Sequence, residues 1–211
     1  MSSASAAATP LLSWGVATRN LPGESVSGDL HVVCPTDTGV LVGVVDALGH
    51  GVEAEAAATA AVAVLTRHAH EPLPGLLQRA HQAMIGTRGV VMSLAAFSRI
   101  DRTMTWLGVG DVEGRIVFAD PNVIPSRTTL ITRGGIVGAH IPAARPWVIP
   151  ISPGDLLIFN TDGIRSGYVT DVAPTGPVQQ IADQILARFG KMTDDALVLV
   201  ARYLGDGVAP K

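Results

Sequence analysis

The chain has 211 residues, 47% of them hydrophobic and 16% charged, with a formal net charge of −3. That is the length of one domain, apolar enough for a filled core, and it lacks the basic excess or polybasic run that nucleic-acid or membrane-surface partners require. A single cysteine, Cys34, rules out an internal disulfide and a cysteine-built zinc cluster and fits a reducing, cytoplasmic setting.

Residues 1–10 are rich in Ser and Ala, without the basic and long apolar regions of a signal peptide, and read as a disordered lead-in. A single domain is expected over residues 11–205, with 206–211 as a tail. Strands are predicted over 13–18, 28–34 and 40–45, the last two as a hairpin about a turn at 35–39, with Cys34 as a buried strand residue. The loop 47–51 leads into an Ala-rich helix over 52–70, whose apolar stretch is too short to cross a bilayer. A second helix covers 74–85. Further strands follow at 89–99, 103–110, 114–119, 128–131 and 156–160, then a helix at 178–189 and a last strand at 196–202. Runs of strands segregated from helices indicate an α+β fold with helices covering mostly antiparallel sheets.

Asp29, Asp46, Asp162 and Asp194 each fall at the edge of an apolar strand, beside glycine or another turn residue. Ionised carboxylates there are costly to bury unless they bind metal or accept hydrogen bonds. If they converge, they form an all-oxygen site suited to Mn²⁺ or Mg²⁺ rather than to zinc. Two such ions about 3.5–4 Å apart would acidify a shared water and neutralise a phosphate monoester. The chain has no GxxxxGK[ST] loop, no GxSxG elbow, no Cys-x5-Arg loop and no HxxxH pair, so competing hydrolase mechanisms lack their residues. Taken singly, each aspartate also reads as a turn former, and Asp111 and Asp155 are read that way. Asp101-Arg102 reads as a hairpin turn. Glu24 reads as a supporting partner of the site, and His50 as a loop residue or a proton donor to the leaving group. Arg19, just before the first of these aspartates, is the candidate ligand for a substrate phosphate, with Arg88 and Arg165 as rivals.

Four motifs carry a family likeness. Pro22-Gly23-Glu24-Ser25-Val26-Ser27-Gly28-Asp29 resembles the GExxxGD opening of the SpoIIE-type branch of metal-dependent PP2C phosphatases. Asp46-Ala47-Leu48-Gly49-His50-Gly51 resembles its DGxGHG motif, Pro153-Gly154-Asp155 with Asn160-Thr161-Asp162-Gly163 its PGD…TDG element, and Thr193-Asp194-Asp195-Ala196 its terminal DD element. They occur in family order. Within the branch the chain is most similar to the stressosome feedback phosphatases, which are bare catalytic domains.

The resemblance implies a PP2C-like α-β-β-α sandwich and a protein serine/threonine phosphatase using two Mn²⁺ or Mg²⁺ ions. It implies catalytic roles for Asp46 and Asp29, and metal contacts from Asp29, Asp46, the Ala47 carbonyl, Asp162 and Asp194, the first of the Asp194-Asp195 pair. It further implies phosphorylated STAS-domain partners of the stressosome or anti-anti-sigma type. A monomer or weak dimer is expected. The family has glycine where this chain has Ala47; a positive φ there would clash with the added Cβ and weaken the second metal site. The alternative is therefore a catalytically weak module of the same fold that sequesters a STAS partner.

Overall fold

The computed structural model describes residues 10–120, 122–143, 145–168 and 175–205. Residues 1–9 of the expected lead-in and the whole expected tail lie outside the described residues. In chain order the elements are β1 (Leu12–Arg19), β2 (Asp29–Thr36), β3 (Gly39–Ala47), α1 (Val52–Arg67), α2 (Leu73–Met84), β4 (Val90–Ser98), β5 (Thr103–Val109), β6 (Glu113–Val117), β7 (Arg127–Leu130), β8 (Trp147–Pro150), β9 (Leu156–Asn160), α3 (Val178–Phe189) and β10 (Ala196–Tyr203). The strands form two five-stranded sheets, β2-β3-β4-β5-β8 and β1-β10-β9-β6-β7. Every strand pairing between them is antiparallel.

Alternation of side chains along the strands explains the layers. On β3, Val40, Val42 and Val44 join a core between the two sheets, while Leu41, Val45 and Ala47 join a core beneath α1 and α2. On β9, Leu157 and Phe159 face the other sheet, and Leu156 and Ile158 face α3. The central strands are covered on both faces, which is why they read as unbroken apolar runs. The result is the expected helix–sheet–sheet–helix sandwich. On α1, the buried Ala54, Ala57, Ala58, Ala61 and Leu65 form one small-residue stripe that lets the helix lie close on its sheet. Among the described residues no helix is long and apolar enough to cross a membrane.

The structure differs from the sequence reading in three places. Helix α1 stops at Arg67 rather than 70: Glu71 N donates to His68 O in a turn, and Pro72 caps α2. Strand β8 went unpredicted, since it is four residues long, largely exposed, preceded by Pro146 and ended by Pro150, and defined only by pairing with β5. Cys34 is half-buried rather than buried, because β2 is an edge strand and α1 covers it incompletely.

Strand parity also sets the direction of the first two aspartates. Asp46 shares the parity of Val42 and Val44, and Asp29 that of Val33, all residues facing the space between the sheets. The register pairs Asp29 directly with Asp46.

Candidate metal centre

Where the sheets end together, a cleft of about 590 Å³ opens, lined by Asp46, Asp111, Asp162 and Asp194 with His50 and the Gly134–Gly135 backbone among others. Asp29 lies behind it, only 4% exposed. Its Oδ2 accepts a 2.7 Å hydrogen bond from Thr161 Oγ1, which crosses from the other sheet. The same hydroxyl accepts from Leu197 N at 3.0 Å, so its own proton is directed to the carboxylate.

The electrostatics are those of crowded acids. Burial pushes Asp29 up to about 7; the Thr161 bond opposes this, and Asp195, Asp194 and Asp162 add to it. Burial, then the charges of Asp29, Asp162, Asp111 and Asp194, pushes Asp46 up to about 9. Asp162 is raised by burial and by Asp194 and Asp111, with Lys191 opposing. Among the described residues no lysine or arginine lines the cleft. Among the described residues no three of these carboxylates close on a single point; they stand round the cleft, where their mutual repulsion raises their pKa values. Such a set of oxygen donors fits hard divalent cations, whose charge would relieve that repulsion.

The neighbours hold this frame in place. Asp195 is 3% exposed, and its two oxygens accept from Leu21 N and Gly28 N, each at 2.8 Å. Its carboxylate thus ties the first motif to β10 and leaves Asp194 as the cleft-facing member of the pair. A Cβ on Gly163 would stand 1.8 Å from the Asp195 carbonyl oxygen, so the glycine of the TDG element is required by this contact. Glu24 Oε1 lies 2.7 Å from His50 Nδ1. Arg88 bonds Glu53 at 2.8 Å and the Leu48 carbonyl at 3.2 Å, bracing the loop at 47–51.

Ala47 is a β3 residue with its side chain 1% exposed in the helix-side core. Arg102 is the only non-glycine residue with positive φ among those described, so the strain considered for Ala47 does not arise. The backbone premise for a weakened second site therefore falls away.

Arg19 donates to the Lys191 carbonyl, and Arg165 to the Arg188 carbonyl at 2.9 Å. Neither of them, nor Arg88, lines the cleft. Asp155 is a turn residue as expected, accepting from Ala119 N at 2.7 Å and Ser152 N at 2.8 Å. Asp111 is a correction: read as a turn residue, it stands in the cleft. A signal was present, because Gly110-Asp111 directly follows the apolar strand β5, much as Asp46 stands at the end of the apolar run of β3. The polar tie from Thr161 and the clamp from Asp195 were missed, because their partners Asp29, Leu21 and Gly28 lie more than 130 residues away in the chain.

Residues 36–204 match the model of the family described as Stage II sporulation protein E (SpoIIE). The chain is 28% identical over 184 residues to phosphoserine phosphatase RsbX of Bacillus subtilis (strain 168), covering 87% of this chain and 90% of that one. A solved structure described as "The bacterial stressosome: a modular system that has been adapted to control secondary messenger signaling" superposes with TM-score 0.83 and 28% identity, covering 90% of this chain and 99% of that one. RsbX in complex with magnesium superposes with TM-score 0.80 at 21% identity, covering 91% and 95%.

Proposed function

This chain belongs to the SpoIIE family, and from that premise we propose that it is a metal-dependent protein serine/threonine phosphatase. The observation that carries the reading is the gathering of Asp46, Asp111, Asp162 and Asp194 on one cleft, with Asp29 behind and, among the described residues, no lysine or arginine in its lining. Asp46, paired with Asp29 across the β2–β3 ladder, would hold the ions at the centre of the set. Asp29, the Ala47 carbonyl, Asp162 and Asp194 complete the set. When bound, two Mn²⁺ or Mg²⁺ ions supply charge neutralisation for the phosphate and acidify an attacking water.

The chain's own groups do the rest. Thr161 orients Asp29 and favours its ionised form. Glu24 engages Nδ1 of His50, leaving Nε2 to give a proton to the departing serine or threonine oxygen at the cleft mouth. The likeness to RsbX, named a phosphoserine phosphatase, supports phosphorylated STAS-domain regulators of the stressosome or anti-anti-sigma type as cytoplasmic substrates.

Purified protein is expected to hydrolyse p-nitrophenyl phosphate and a phosphorylated STAS protein with Mn²⁺, and not with EDTA. Asp46→Asn should lower kcat/KM by at least about 100-fold, since even outer partners of metal ligands cost 10–100-fold. Undiminished turnover in that variant refutes the assignment.

A further inference from the structure

A small hollow of about 10 Å³, room for about one water molecule, shares a wall with the cleft. It is lined by Trp106, Gly108, Ile131, Arg133, Arg145 and Trp147, among others. The wall is common because Gly110 N donates to Arg133 O at 2.8 Å and Arg133 N to Gly108 O at 3.3 Å, while Gly110 and Gly134 line the cleft itself. The two hollows are thus one residue apart along both segments.

Three donor groups on residues lining this hollow have no acceptor among the described residues. Arg133 and Arg145 are exposed, and neither guanidinium has a hydrogen-bond or ion-pair partner among the described residues. By contrast Arg19, Arg79, Arg88, Arg115 and Arg165 are all engaged. Trp106 is 2% exposed, and its Nε1 is buried without a partner. An indole nitrogen only donates, so what is missing there is an acceptor. Trp147, 43% exposed, meets Trp106 edge-on with ring centroids 6.2 Å apart and offers an open aromatic face. Two planar guanidinia beside an indole suit a carboxylate better than an ammonium or an apolar group. The adjoining cleft is lined by four aspartates and, among the described residues, by no lysine or arginine, so an acidic partner has more favourable charge on this side of the wall.

We propose that Arg133 and Arg145, exposed at the rim of this hollow, bind an acidic side chain of the protein substrate that flanks the phosphorylated residue. The identity of that partner as substrate rests on the phosphatase reading; binding of the acidic segment does not.

The test uses the full chain and two unphosphorylated peptides that differ only in a Glu or a Gln cluster. Trp106 and Trp147 are two of the three tryptophans, so intrinsic fluorescence reports the site. The Glu peptide should give a saturable change that weakens with salt. The Gln peptide, and the Glu peptide on R133E/R145E, should bind at least about ten-fold more weakly. R133Q/R145Q, expected to show the same loss, carries the test if the reversed variant fails to fold. Equal binding of both peptides, or undiminished binding by both variants, overturns the site.

A second arm compares kcat/KM for phosphopeptides with Glu or Gln flanks. The ratio should exceed about ten in the parent chain and approach one in the variant. If neither phosphopeptide is cleaved, the phosphatase reading fails while the fluorescence arm still decides the site. If both are cleaved equally and the Glu peptide does not bind, the site fails while the phosphatase reading stands.

Discussion

Thr161 shows how much one small side chain does here. Its hydroxyl accepts from Leu197 N and donates to Asp29 Oδ2, joining the two sheets where the carboxylates gather. Thr161→Val keeps the shape and removes both bonds, leaving a buried amide and a buried carboxylate less well satisfied. The expected loss is about 1–3 kcal/mol in urea unfolding, with a higher Mn²⁺ requirement because Asp29 holds its proton more tightly. Thr161→Ser should recover most of both; parent-like unfolding and Mn²⁺ titration in the valine variant would contradict this role. At this scale the sequence was partly legible. Asp29, Asp46, Asp162 and Asp194 stood out as acids ending apolar runs, but what Thr161 and Asp195 bond depends on partners far away in the chain. The arginines misled for the same reason, since proximity to a motif in sequence says nothing about which carbonyl a guanidinium reaches.

Among the elements, α1 and β3 depend on each other most. The motif loop ends β3 and runs straight into α1, so the seating of that helix sets the loop. Ala58 is fully buried in the stripe facing the sheet. Ala58→Leu should overpack this contact and lower stability by about 1–3 kcal/mol in denaturant unfolding. Because the helix would shift, phosphatase activity should fall with it; an unchanged midpoint would mean the packing is loose. Strands buried on both faces, such as β3, β9 and β10, were readable because burial leaves continuous apolar runs. Strand β8 was not, because its identity lies in a ladder with β5 and not in its composition. The end of α1 was misplaced by three residues because the turn at His68–Glu71 carries no glycine or proline until Pro72.

Over the whole molecule, the site is shared between the sheets: Asp29 and Asp46 come from one, and Asp162 and Asp194 flank strands of the other. Asp29 and Asp46 are held at about 7 and about 9, above the unfolded value near 4. The folded chain therefore keeps protons that the unfolded chain has released, and metal-free stability should fall as pH rises from about 4 towards 9. Saturating Mn²⁺, binding only the folded state, should offset that fall. Calorimetric Tm values at pH 6 and pH 8.5, in EDTA and in Mn²⁺, provide the check; a flat Tm in EDTA would count against it. The topology also bears on how the protein is made. Strands β2 to β5 pair with successive neighbours, so that sheet can begin to form as it leaves the ribosome. Strand β10 lies between β1 and β9, and Asp195 at its threshold reaches back 174 residues to Leu21 and 167 to Gly28. Until that last stretch emerges, a nascent chain has Asp29, Asp46, Asp111 and Asp162 but lacks Asp194 and the Asp195 clamp, so the site is assembled only once β10 is made.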